Sequence, residues 1–244
     1  MFAVELPTLE LSKVPTTSFL PACRPFTQPY DRAELFADGL MHAAGIVFAL
    51  AGMTTLASVT TGLPDFQSVA VWIYAIGLVM MFGTSAVYNL WPISSTKLLL
   101  RRFDQAAVYL FTAATYTPFI AQAEQTTFTE ALLAAVWGIA GVGVILKVGF
   151  PGRLERFGVL LCLALGWSAL FAYDVIFSPL PVRTVGLVFA GGMLYSTGLI
   201  FHLWDRLRFQ NAIWHAFVFS GAGFQFIAVF TVNAAASAGT IGGN

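Results

Sequence analysis

Seven long apolar runs dominate this sequence and limit what the chain can fold into. They cover roughly residues 39–60, 67–90, 104–123, 129–149, 157–177, 184–204 and 212–236. Each is close to the length of about 20 residues that a helix needs to cross a bilayer. Hydrophobic residues make up 58% of the 244-residue chain and charged residues only 10%, against about 25% charged in a typical soluble domain. So few charges cannot cover so much apolar surface in water, so we predict an all-α membrane protein with seven transmembrane helices.

Basic residues concentrate on one side of the predicted bundle. With seven spans, the N-terminal segment and the loops after spans 2, 4 and 6 hold eleven of the twelve Lys and Arg residues, and the opposite side holds only Arg183. The eleven are Lys13, Arg24, Arg32, Lys97, Arg101, Arg102, Lys147, Arg153, Arg156, Arg206 and Arg208. Basic residues accumulate in cytoplasmic loops. The pattern predicts a cytoplasmic N-terminus, an outside C-terminus and, in a bacterial host, the inner (plasma) membrane.

The predicted domain organisation has three parts. Residues 1–33 contain several prolines and no sustained apolar stretch, which favours an irregular cytoplasmic tail over a secretory signal. Residues 34–238 form the seven-helix transmembrane domain, and 239–244 form a short C-terminal tail. Cys23 and Cys162 make neither a disulfide framework nor a metal cluster, and we expect free thiols.

Overall charge and polarity restrict the partners. The 12 basic and 12 acidic residues cancel, so nothing favours binding to nucleic acid. We expect the partners to be membrane lipids and a lipid-like ligand.

Polar side chains inside the apolar runs are candidate functional residues, because they are costly in a membrane. Ser85 and Asn89 share one helix face, as do Asn211 and His215, because residues four apart align on a helix. The span directions place both pairs at the cytoplasmic end, where Asp104 begins span 3. Gln225 lies about 15 Å deeper than His215 along the same helix. The predicted polar cavity comprises Ser85, Asn89, Asp104, Asn211, His215, Gln225 and His42.

A purely structural role is open for the same residues. His42 lies at a span end, where its ring can meet lipid headgroups. Asp104 follows two arginines and can pair with them at the surface, while Asn211 and His215 can form hydrogen bonds between helices. The residues alone therefore leave open whether this layer has a chemical role.

Five segments carry motifs in a characteristic order. They read "ELFADGLMHAAG" (34–45), "SAVYNLWP" (85–92), "RRFDQAAVYLFTAATYTPF" (101–119), "GW" (166–167) and "GGMLYSTGLIFHLWDRLRFQNAIWHAFVFSGAGFQF" (191–226). In order, spacing and number of spans they resemble the hemolysin III family, the bacterial branch of the progestin and adipoQ receptors. The resemblance implies a seven-helix bundle with zinc held by three histidines, one from a Ser-x3-His motif on span 2 and two from a His-x3-His motif on span 7. It also implies an aspartate beside the metal and a lipid-amide, ceramidase-like hydrolysis.

The chain departs from the family pattern at the metal positions. Asn89 and Asn211 stand where two of the three histidines are expected, so His215 is the only retained ligand. Asp104 and Ser85 match the positions of the catalytic residues if the site is active. Zinc sites use imidazole, thiolate or carboxylate ligands, and a carboxamide is a poor substitute. We therefore predict a degenerate zinc site with no cofactor expected, and zinc only if the family site is retained.

Two further positions differ from the family. Gln225 stands where many bacterial members have another histidine. In the first motif, Asp38 and Met41 replace the usual asparagine and threonine, whereas Glu34 and His42 match.

Three functions are compatible with this pattern. The favoured one is a non-catalytic relative that binds a lipid or a partner through a cytoplasm-facing polar cavity. The alternative is a metal-dependent lipid-amide hydrolase, with Asp104 as general base and Ser85 supporting the site. The second alternative is a pore-forming or permeability protein, as the name hemolysin suggests.

Overall fold

The structure is a computed structural model that describes residues 31–150, 155–204 and 206–242, and all regular secondary structure in this part of the chain is helical. Its α-helices are α1 (Arg32–Thr60), α2 (Asp65–Leu90), α3 (Ser95–Gln122), α4 (Thr127–Gly149), α5 (Glu155–Trp167), α6 (Tyr173–Ile176), α7 (Val182–His202) and α8 (Gln210–Gly242). The prediction of an all-α fold is confirmed. Cys162, in α5, is a free thiol, whereas Cys23 and nearly all of the predicted N-terminal tail lie outside the described residues.

Six segments of the described chain are long and apolar enough to cross a membrane. They are α1, α2, α4, the segment Phe157–Ile176 that joins α5 to α6, α7, and α8 up to Gly239. Helix α3 has 28 residues but is not among these six segments, because even its uncharged part, 105–122, contains glutamine, threonine, tyrosine and proline residues that lower its mean hydropathy. It packs against α2, α4, α5 and α8, and its second half is largely buried. Its polar character is therefore accommodated inside the bundle.

Helix ends extend beyond the apolar runs from which they were predicted. α1 begins at Arg32 rather than at 39, because Asp31 and Glu34 form a capping box in which the Glu34 carboxylate accepts a 3.0 Å hydrogen bond from Asp31 N. α3 begins at Ser95 rather than at 104. α8 continues to Gly242, past the predicted end at 236 and past residue 238. Hydropathy marks the part of a helix that matches a bilayer, whereas capping and backbone bonding decide where the helix ends.

The fifth predicted span is not one continuous α-helix. A 3₁₀ segment, Ser168–Ala172, separates α5 from α6. Tyr116 of α3 satisfies the backbone at this break: its hydroxyl donates to Leu165 O at 2.7 Å and accepts from Ala169 N at 2.8 Å. A break in a membrane helix is tolerated where neighbouring side chains bond the freed backbone groups.

A tyrosine packed on a glycine brings α3 and α4 together. A Cβ atom added at Gly143 would collide with the ring of Tyr109. The Tyr109 hydroxyl in turn donates a hydrogen bond to Gly158 O of α5. One buried side chain thus fixes three helices, and small residues permit this close approach in membrane bundles.

Changing Gly143→Ala is therefore expected to destabilise the protein by about 1–3 kcal/mol, the usual cost of overpacking a tight contact. Gly138→Ala on the same helix is the matched control, because a Cβ there meets nothing within 4 Å. Both changes add one methyl group to α4, so their difference isolates the clash with Tyr109. The measurement is the thermal unfolding midpoint in detergent, and equal midpoints for the two variants would contradict this packing.

Candidate functional site

One end of the bundle collects the polar side chains of four helices. α1, α3 and α8 begin there and α2 ends there. We call this the polar end and define it by Asp38, His42, Ser85, Asn89, Asp104, Asn211 and His215. Most of the residues proposed from sequence meet there, and Asp38 joins them.

The turn before α8 is fastened to the start of α1. Phe209 N donates to Glu34 Oε1 at 3.0 Å, and the Arg208 guanidinium donates to Asp31 Oδ2 at 2.9 Å. Phe209 has φ 59°, a left-handed conformation that is costly for a residue with a side chain. The Ala33 backbone N–H and the Arg208 guanidinium hold the pKa of Asp31 below its usual value. These contacts set α8 against α1.

The two asparagines at the expected ligand positions bond to each other and to α1. Asn211 Nδ2 donates to Asn89 Oδ1 at 3.0 Å and to Asp38 Oδ1 at 2.9 Å. Asn89 Nδ2 donates to the backbone oxygen of Ser85 at 2.9 Å. A chain of hydrogen bonds thus joins α2, α8 and α1, and it orients the Asp38 carboxylate.

Asp38, His42 and His215 form a compact group of metal-ligand side chains. One ligand atom from each lies within 4.8 Å of the others. The His42 and His215 rings have their centroids 4.4 Å apart. Two imidazoles and one carboxylate therefore face one another between α1 and α8.

The buried nitrogen of His42 supports a metal at this group. His42 is only 2% exposed, and its Nε2 has no hydrogen-bond partner among the residues that the structure describes. Asp38 Oδ1 is the nearby carboxylate atom, but at 3.4 Å it lies beyond the usual range for an N–H···O bond. Two histidines and a carboxylate are the protein ligands of one class of catalytic zinc site and also suit Fe(II). The residues present therefore fit a divalent transition metal.

Asp38 is a site residue that the sequence patterns did not predict. In the sequence, Asp38 stands out only as a departure from the family motif, and His215 as the single retained ligand. A signal was present, because Asp38 and His42 are four residues apart, the same spacing as the two pairs that were recognised. What the spacing does not give is the contact of this pair with His215, since that contact depends on how α1 packs on α8.

Asp104 and Ser85 lie beside this group and line a cavity. The Ser85 hydroxyl is within hydrogen-bonding reach of the Asp104 carboxyl, which also interacts electrostatically with His42 and Arg101. Ser85 is buried. Asp104 is thus not simply a surface partner of the preceding arginines, because its side chain faces the interior of the bundle.

An elongated cavity of about 280 Å³ extends from the polar end into the bundle. Ser85, Asp104 and His215 line its polar end, and Gln225 lines it further along α8. Most of the remaining wall is apolar or aromatic, including Phe111, Phe119 and Trp167. Asn89, Asn211 and His42, which the sequence analysis also assigned to the cavity, are not among its lining residues. They lie in the polar layer behind it.

This architecture is that of a helical membrane protein with a partly buried carboxylate–histidine group at the head of an apolar cavity. The family model described as Haemolysin-III related matches residues 34–226. The chain therefore belongs to the Haemolysin-III related family and is an integral membrane protein, as its motifs and apolar helices predicted.

Curated relatives cover most of the chain. It is 28% identical over 197 residues to the Hemolysin-3 homolog of Bacillus subtilis (strain 168), spanning 80% of this chain and 92% of that protein. It is 29% identical over 197 residues to Hemolysin-3 of Bacillus cereus, spanning 80% and 90%. The Monocyte to macrophage differentiation factor of Homo sapiens is 26% identical over 205 residues, spanning 81% and 83%. No solved structure matches the chain.

Proposed function

We propose that this protein is a metal-dependent hydrolase that acts on a lipid amide at the polar end of its cavity. The observation that carries the proposal is the group of Asp38, His42 and His215, because three protein ligands are what a catalytic zinc site requires. Asp104 and Ser85 lie next to this group, at the head of the apolar cavity. A non-catalytic protein is favoured from the sequence because only one family ligand is retained, but Asp38 and His42 supply a carboxylate and a second imidazole and so weaken that reason.

Each residue of the group has a role in holding the ion. Asp38, His42 and His215 would bind it through one carboxylate oxygen and two imidazole nitrogens. Asn211 donates to the Asp38 carboxylate and so restricts its rotation, the kind of outer contact that tunes metal sites. When bound, zinc would supply a Lewis acid for a carbonyl oxygen.

Asp104 is the proposed general base. Its carboxylate lines the cavity beside the metal group, so it can accept a proton from the water that attacks the amide carbonyl. The same carboxylic acid can then return the proton to the leaving amine. Ser85, within hydrogen-bonding reach, holds the carboxylate in position.

The composition of the cavity supports a lipid-like substrate. Its largely apolar wall suits an acyl chain, and a few polar groups at one end suit a polar head, the usual composition of a small-molecule site. Residues of α2, α3, α5, α7 and α8 form most of this wall. A lipid with an amide near its headgroup would place that bond beside Asp104.

The test is metal content together with hydrolysis by the purified wild-type protein. We expect one zinc or other divalent transition metal per chain, and hydrolysis of an N-acyl amide that stops when a strong chelator removes the ion. Hydrolysis that is unaffected by complete metal removal would refute the proposed mechanism.

A second function is favoured by one specific observation. The hydrogen bonds from Asn211 to Asn89 and to Asp38 satisfy much of the polar end without an ion. A non-catalytic protein that binds a lipid in the same cavity would need no more than this. Wild-type protein that binds lipid but carries no metal and has no activity would support this second function.

We also propose seven spans, with α3 as the third, a cytoplasmic N-terminus and, in bacteria, the inner membrane. The support is that α3 is as long as its neighbours and packs between α2 and α4. The side of the membrane at the polar end would then hold every basic residue of the described chain except Arg183, in keeping with the cytoplasmic bias of such residues.

A periplasmic reporter fused after Asn244 should accordingly be active in a bacterial host, and the same reporter inserted after Ile93, between α2 and α3, should be inactive. The two positions lie on opposite sides only if the number of spans between them is odd. Equal activity at both positions would contradict the seven-span topology.

A further inference from the structure

Two polar side chains line the cavity far from the polar end and have unused hydrogen-bonding atoms. They are Tyr195 of α7 and Gln225 of α8. Tyr195 Oη and Gln225 Oε1 are buried and have no hydrogen-bond partner within the described part of the chain. Gln225 is only 6% exposed. Buried polar atoms are normally paired, so such atoms require an explanation.

The orientation of the Gln225 amide is fixed by its other end. Gln225 Nε2 donates to Val188 O of α7 at 3.0 Å. Because the nitrogen is engaged with that carbonyl, the amide oxygen remains as an acceptor. Tyr195 offers a phenolic O–H, which can donate as well as accept.

Both side chains flank one close crossing of α7 and α8. A Cβ atom at Gly191 would lie 2.9 Å from Gln225 Nε2, and one at Gly221 would lie 3.1 Å from the Tyr195 ring. Gly191 lies four residues before Tyr195, and Gly221 lies four residues before Gln225, so the arrangement is nearly reciprocal. The two glycines thus let the helices approach and hold both polar side chains at the same level of the cavity.

A third unpaired polar atom lies behind this pair. Tyr74 of α2 is 0% exposed, and its hydroxyl also has no hydrogen-bond partner among the described residues. The Tyr74 and Tyr195 phenols are close enough to interact electrostatically. Among the described residues, three of the four buried side-chain atoms without a hydrogen-bond partner thus belong to this region, and the fourth, His42 Nε2, lies at the polar end.

We propose that Tyr195 and Gln225 form a second binding point, which recognises a hydroxyl group partway along the chain of a lipid in the cavity. A hydroxyl can accept from Tyr195 and donate to Gln225 Oε1, whereas a methylene group can do neither. The ten residues from His215 to Gln225 correspond to about 15 Å along α8, so the hydroxyl lies well away from the headgroup. This inference rests on the proposed binding of a lipid chain in the cavity, but it requires neither the metal nor hydrolysis.

The test uses octadecanoic acid and a series of monohydroxy octadecanoic acids in which the hydroxyl moves along the chain. Their affinities for the purified full-length protein in detergent are measured by calorimetry. We expect one hydroxyl position to bind about tenfold more tightly than octadecanoic acid, as one or two net hydrogen bonds would give. Tyr195→Phe, which keeps the ring on Gly221, should abolish this preference and leave the affinity for octadecanoic acid unchanged.

Thr115→Val is the matched control. Thr115 also lines the cavity, but its hydroxyl already donates to Phe111 O at 2.8 Å, so its loss should leave the preference intact. Gln225→Met provides a second variant, and it should also remove the preference. Thermal unfolding of each variant shows whether it is folded before binding is compared.

Two outcomes overturn the inference in distinguishable ways. Equal binding of all the acids to the wild type would show that the polar atoms serve a buried water and not the lipid. No binding of octadecanoic acid itself would refute lipid occupancy of the cavity. Metal content, measured separately, tests the proposed metal site independently of either outcome.

Discussion

Asp104→Asn is expected to lower the rate of amide hydrolysis by about 10²–10⁴-fold, the range that general acid–base catalysis contributes. Asparagine has nearly the same shape as aspartate, and its side-chain oxygen can still accept from Ser85. It cannot take a proton from water or return one to the leaving amine. The loss should appear in kcat with a smaller change in KM, because the cavity wall that binds the acyl chain is unaltered.

The same variant should keep its metal, because Asp104 is not a member of the group formed by Asp38, His42 and His215. Asp174→Asn is the control, because Asp174 is an exposed carboxylate in α6. This variant should hydrolyse the amide at the wild-type rate. Loss of metal from Asp104→Asn would identify Asp104 as a ligand rather than a base. Full activity would exclude it from the chemistry altogether.

Much of the fold follows from local patterns in the sequence. Apolar runs of bilayer length predict long helices because the backbone must satisfy its own hydrogen bonds inside a membrane. The four-residue spacing of Ser85 with Asn89 and of Asn211 with His215 predicts a shared face. Helix direction alone then places these residues near Asp104. Each of these inferences uses information within one helix, together with the alternation of direction between helices.

Contacts between helices were less predictable. Asp38 became a site residue only because Glu34, bonded to Phe209 N at 3.0 Å, holds the start of α1 against the start of α8. The 3₁₀ break after Trp167 depends on Tyr116 from α3, and no feature of the segment 157–177 alone requires it. The place of Asn89 and Asn211 in the polar layer behind the cavity wall likewise depends on contacts between helices, since both amides turn towards each other.

The paired asparagines acquire a specific role from this arrangement. At the positions where the family resemblance implies ligands, they instead donate and accept within a chain that ends on Asp38. A carboxylate at position 38 and an amide at position 211 are therefore complementary: the amide N–H bonds the carboxylate, and the carboxylate faces His42. The chain thus has a group of side chains that could hold a metal, displaced towards α1 from the positions that the family resemblance implies.

Asp38→Asn should weaken metal binding by at least about 100-fold. Outer contacts of a metal site alone are worth roughly 10–100-fold, and the loss of an anionic ligand should cost more. The substituted side chain can still accept from Asn211 through its oxygen, so the hydrogen-bonded chain and the fold should persist. The measurement is zinc content after dialysis and zinc-dependent thermal stabilisation, with Asp65→Asn, an exposed carboxylate at the start of α2, as the control.

Adding Asn89→His and Asn211→His to Asp38→Asn should restore zinc binding, because the two new imidazoles join His215 to give three histidine ligands. Asn89 and Asn211 already lie 3.0 Å apart between their side-chain atoms, so both substituted rings should reach a common ion. Either change alone adds one imidazole instead of two and should restore less. Zinc bound equally well by the wild type and by Asp38→Asn would refute the shifted ligand set. Failure of the triple variant to regain zinc would instead show that α2 and α8 no longer hold the geometry that the family resemblance implies.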